Sequence, residues 1–98
     1  VGAVSSLPPV WESRLAKVAA SRAAARLEAA RAEVCRVAKR RHEIEERLGP
    51  EDNPAVLAAL LREYDAQGPL IDELESLVRR LADEHTAALS RLDAAAGR

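Results

Sequence analysis

From Leu57 to Ala95 the apolar residues return at alternating intervals of three and four. In heptad terms the a positions are Leu57, Tyr64, Ile71, Val78, His85 and Leu92, and the d positions are Leu60, Gln67, Leu74, Leu81, Ala88 and Ala95. A period of seven held this long without a skip predicts a long helix with one seam for a facing helix. The first half of the chain carries a matching series, Leu27, Ala30, Val34, Val37, Arg41, Ile44 and Leu48. Between the two series stands Leu48-Gly49-Pro50-Glu51-Asp52-Asn53-Pro54. Gly49 is able to take the left-handed conformation that ends a helix, and Pro50 cannot continue one. Asn53 before Pro54 is a start signal, because Asn accepts a bond from a free backbone N–H and Pro fits the first turn.

These signals predict an all-α fold: a long antiparallel two-helix hairpin, coiled-coil-like, forming a single domain over 1–98. The first helix is expected over about 9–48, the turn over 49–53 and the second helix over about 54–95, with Pro8 and Pro9 suiting the start. A connection this short forces the helices antiparallel. Folding about it pairs Leu48 with Leu57, Arg41 with Tyr64, Val34 with Ile71 and Leu27 with Val78. The predicted seam within the hairpin is Leu27, Val34, Val37, Ile44, Leu48, Leu57, Leu60, Tyr64, Ile71, Leu74, Val78 and Leu81.

Gln67-Gly68-Pro69 complicates the second helix, since Pro69 removes the bond to the carbonyl of Asp65. The heptad phase runs through it from Tyr64 to Ile71 with no residues to spare for a loop. The expectation is one helix kinked near Gly68-Pro69; a three-helix bundle is the alternative.

The chain has more apolar surface than one seam uses. Val56, Leu61, Leu70, Leu77 and Leu89 flank the second helix's seam, and Trp11, Leu15 and Val18 follow a phase of their own. A stripe widened in this way marks a helix with more than one neighbour. Carried outward, the pairing sets Leu15 and Val18 across from Ser90 and Ala87, close to Leu89 and Leu92. The expectation is a partner or dimer interface of Trp11, Leu15, Val18, Leu89 and Leu92, extended by Leu70 and Leu77, on which two hairpins pack into a four-helix bundle. The alternative has Trp11 covering the hairpin's open end.

Charge supports the pairing. Residues 1–42 sum to +6, 43–75 to −8 and 76–98 to +1, so the basic part of the first helix faces the acidic part of the second. A net charge of −1 argues against a general nucleic-acid or membrane binder. No apolar run is long enough to span a bilayer, and Val1–Pro9 lacks the pattern of a signal peptide. Starting on Val1, the chain is expected to be a segment of a longer protein. One cysteine, Cys35, makes no internal disulfide and suits an intracellular setting, cytoplasmic sooner than nuclear.

Candidate chemistry is sparse. His85 sits alone on an a position facing Ala20, and His42 is far along the chain, so no histidine pair offers a metal site. Cys35 has Arg31, Arg36 and Lys39 nearby but no histidine to act as its base. The run from Arg36 to His42 is followed at once by Glu43, Glu45 and Glu46, which suits a salt-bridged face. No phosphate loop, catalytic triad or metal-ligand spacing is present, and neither a catalytic residue nor a cofactor is expected. The reading is a non-enzymatic interaction module, an intracellular scaffold or adaptor that binds itself as a homodimer, a helix of another protein, or both. Alternatives are an effector hairpin binding a globular partner such as a small GTPase, and a nucleic-acid-contacting arm using Arg22, Arg26, Arg36 and Arg40.

Overall fold

A computed structural model describes residues 9–97. Among them the chain is entirely helical apart from the turn: α1 runs Pro9–Leu48 and α2 runs Pro54–Ala96. Pro8 and the rest of the amino-terminal segment read above lie outside the described residues. The start of α2 is built as its sequence suggests. Asn53 Oδ1 accepts a hydrogen bond from the Ala55 backbone N–H at 2.9 Å, while the Asn53 carbonyl accepts the first helical bond from Leu57 at 2.9 Å. The Asn53 N–H is itself taken by Glu51 Oε1 at 3.1 Å, so the cap is held from both sides. Pro54 occupies the first helical position, where an absent N–H costs nothing.

The end of α1 differs from expectation. No described residue, glycine or otherwise, has a positive φ. Gly49 therefore does not close α1 in the left-handed conformation. Pro50 ends it, by removing a donor and by disfavouring helical geometry at the residue before it.

Gly68-Pro69 does not divide the second helix. Pro69 lies inside α2, which is continuous over 43 residues, so the three-helix alternative is not realised. The apolar pattern explains the outcome: Tyr64, Gln67, Ile71 and Leu74 are all at least half-buried, and reversing the chain at Pro69 would pull Ile71 and Leu74 out of the seam.

Packing divides the chain into two compact units, each containing segments of both helices. Unit 2 comprises 29–78 and holds the turn; unit 1 comprises 1–28 and 79–98. In unit 2 the seam is filled by large side chains. Ile44 is fully buried, Val37, Ala30 and Leu60 are buried, and Val34, Leu48, Leu57, Tyr64, Ile71, Leu74 and Val78 are half-buried. Full burial of one Leu- or Ile-sized side chain stabilises by roughly 1.5–3 kcal/mol, so this segment carries its own apolar driving force.

Unit 1 is built on smaller residues. Ala20, Ala23 and Ala88 form a buried cluster against which Leu92 packs, with Leu27 and Leu81 also buried. Alanine surrenders no side-chain entropy and lets helix backbones approach closely, but each contact removes little apolar area from water.

Candidate interaction surface

The first turns of α1 turn their apolar residues outward. At about 100° per residue, Trp11, Leu15 and Val18 fall within an arc of roughly 60°. Ala20, Ala23 and Leu27, the buried residues that follow, centre roughly 140° away. Burial agrees with this geometry. Glu12, Ser13 and Ala16 are half-buried, whereas Trp11, Leu15 and Val18 are 51%, 56% and 47% exposed. Small and polar side chains thus occupy the inner side of this segment, and three large apolar ones face solvent. Val10 adds a fourth exposed apolar residue beside them. The Arg14 guanidinium lies 5.9 Å from the centre of the Trp11 ring, within cation–π range and leaving most of the indole open.

The other residues expected on this surface divide into three groups. Leu89 is exposed and belongs to unit 1. Leu92 is half-buried and packs on the alanine cluster, so it belongs to the seam. Leu70 is exposed and Leu77 half-buried, and both belong to unit 2. The spacing of Leu92 already marked it as an a position, and small Ala20 and Ala23 leave the room it fills.

A feature the sequence reading passed over lies along the same side of α1. The stripe of Trp11, Leu15 and Val18 continues, one turn later, into Arg22 and Arg26. These line a groove of about 400 Å³ in unit 1, together with Ala19, Ala23, Glu84, Ala87, Ala88 and Arg91. Its lining thus combines four alanines, three arginines and one glutamate. Arg26 reaches Glu84 only at 3.9 Å, and among the described residues Arg22 and Arg91 join no ion pair. A sign in the sequence was available: Arg22 follows Val18 by four, extending the outward stripe with a change of chemistry.

Unit 2 instead closes its polar groups onto one another. Arg40 forks onto Glu63, with Nε 2.6 Å from Oε2 and Nη2 2.9 Å from Oε1, and its Nη1 also lies 3.5 Å from Glu43. Gln67 Nε2 donates to Glu63 at 3.2 Å. The hydrogen bond from Arg40 holds the Glu63 carboxyl below the usual glutamate range, outweighing the opposing effect of partial burial, and Glu63 raises Arg40 in return. The Arg41 guanidinium stacks 3.9 Å from the centre of the Tyr64 ring, and Tyr64 Oη donates to Glu45 at 2.8 Å. That bond, made by the protonated phenol to a carboxylate, pushes Tyr64 above its ordinary value. Arg41 Nε and Gln67 Oε1 are buried without a hydrogen-bond partner, so polar groups at these two seam positions are retained at some cost.

The remaining candidates lie apart. His85 is half-buried, His42 is exposed with Glu46 at 3.0 Å, and Cys35 is exposed. Arg36 pairs with Glu33 on the same helix. Among the described residues no group of His, Cys, Asp and Glu could hold a metal ion, and no helix is long and apolar enough to cross a membrane. Comparison with known proteins gives no relative: no family model, no curated protein and no solved structure matches this chain.

Proposed function

We propose that this chain is a non-enzymatic protein-interaction module that self-associates, two hairpins packing into a four-helix bundle that serves as a scaffold or adaptor. The observation that carries the proposal is the outward stripe of Trp11, Leu15 and Val18. A chain needing these side chains only for its own fold would bury them, whereas the half-buried positions of this segment are Glu12, Ser13 and Ala16. A cluster of exposed large apolar residues on a small domain marks an interface, and an exposed tryptophan is the residue type most enriched at such centres. The alanine cluster of unit 1 points the same way, because each alanine contact removes little apolar area from water. Cys35, exposed and without a disulfide partner, suits a reducing compartment, and we place the module in the cytoplasm sooner than the nucleus.

The test is the mass in solution, by light scattering over a concentration series, of the wild type and of Trp11→Ala/Leu15→Ala. Wild type should rise above its 10.6 kDa monomer mass, and the double variant should stay there over the same range. Equal association by both would remove the stripe from the interface.

A further inference from the structure

We propose that the arginine groove of unit 1 receives the acidic outer stripe of α2 from a second copy of the chain, and that the two copies make this contact reciprocally. The inference rests on the self-association reading and names its surfaces and orientation. The groove is lined by Arg22, Arg26 and Arg91 together with four alanines and Glu84. Arg22 and Arg26 stand one helical turn apart, an arrangement of like charges that destabilises a helix until a carboxylate comes between them. Glu84 answers Arg26 alone, and at long range.

The chain itself carries a surface that fits. Leu61, Asp65 and Asp72 on α2 fall within an arc of roughly 40° and all are exposed. Among the described residues neither Asp65 nor Asp72 joins an ion pair, whereas the neighbouring Glu63 is committed to Arg40. Leu61, 47% exposed, supplies an apolar side chain for the groove's alanines, and the two aspartates supply carboxylates for its arginines. Charge over whole units selects the same pairing. Unit 1 carries eight Lys/Arg against five Asp/Glu, a net +3; unit 2 carries seven against eleven, a net −4. Unit 1 against its own copy sets like charge on like, and unit 1 against the other copy's unit 2 sets opposite charges together.

Area requires more than the apolar stripe. A stable interface buries about 800 Å² per partner, beyond the reach of three side chains, and a contact made twice supplies the remainder. Reciprocity also closes the assembly as a two-fold dimer, where a one-way contact would propagate.

A complementary charge exchange tests this. Four samples are compared by sedimentation equilibrium: wild type, Arg22→Glu/Arg26→Glu, Asp65→Arg/Asp72→Arg, and an equal mixture of the two variants. Each variant alone sets like charges together in both contacts and should dimerise at least roughly tenfold more weakly than wild type. The mixture sets opposite charges together in both contacts and should recover to within a few-fold of wild type. Helicity measured by circular dichroism identifies a variant that fails to fold. In that case Arg22→Gln/Arg26→Gln and Asp65→Asn/Asp72→Asn carry the test, and both should show a shallower dependence of association on salt than wild type. Undiminished association by either reversed variant, or a mixture no tighter than its components, would overturn the assignment while leaving self-association standing. A wild type monomeric throughout would overturn the self-association reading itself.

Discussion

The two units share a pair of helices and solve the same packing problem with different materials. Unit 2 fills its seam with Ile44, Val37 and Leu60 and binds its polar groups across the pair, Arg40 to Glu63 and Tyr64 to Glu45. Unit 1 fills its seam with Ala20, Ala23 and Ala88, and its cross-helix ion pair, Arg26 with Glu84, is long and exposed. Trp11, Leu15, Val18 and Leu89 stand outside the seam, while Leu27 and Leu81 are buried. The contrast teaches that one heptad repeat can be filled by large side chains along one stretch and largely by alanine along another. Continuity of a heptad does not by itself measure how much stability each stretch supplies.

The strongest way to break this comparison is to remove bulk from each unit in turn. Ile44→Ala, at the one fully buried large side chain among the described residues, should lower unfolding stability by about 2–5 kcal/mol. Leu15→Ala, at an exposed position, should change the stability of the monomer by no more than about 0.5 kcal/mol. Urea unfolding at a concentration where the chain is monomeric checks both, and equal losses would erase the distinction between the units.

A second substitution sharpens the contrast by strengthening unit 2 alone. Gly68 lies inside α2 at negative φ, and a Cβ added there meets nothing within 4 Å. Gly68→Ala should therefore raise stability by roughly 0.5–1 kcal/mol, read as a higher melting temperature. Hydrogen exchange should slow in unit 2 before it slows in unit 1.

The smallest effect is a pH dependence seated in unit 2. Glu63 has a lower pKa folded than unfolded because Arg40 holds its carboxylate. Its contribution is complete above the unfolded value and disappears as pH falls through the folded one. An acid titration of stability should lose part of its slope in Glu63→Gln.

Much of the fold is legible in the sequence because it rests on local chemistry. Asn53-Pro54 specifies the start of α2 by capping and fixed φ, and the heptad from Leu57 onward specifies which side of α2 is covered. Gly49 was harder to read, since a glycine beside a proline permits a left-handed closure without requiring it. The candidate surface was legible in part. The phase of Trp11, Leu15 and Val18 set them off the seam, but spacing could not show that Glu12, Ser13 and Ala16 would lie inward. The spacing marks Leu92 as an a position, but the room that small Ala20 and Ala23 leave for it is a property of two segments together. The arginine groove went unread for the same reason: Arg22 and Arg91 are 69 positions apart, and only the fold brings them to one groove.

The cross-links of the two units also close loops of unequal size. Arg40 and Glu63 are 23 positions apart, whereas Arg26 and Glu84 are 58. Closing the longer loop from an unfolded chain costs about 0.8 kcal/mol more entropy, and it returns a weaker contact. On this scale the contacts nearest the Asn53 cap are the least costly to close. Contacts beside the Trp11 stripe lie at the far end of that scale, where the loop to be closed is longest.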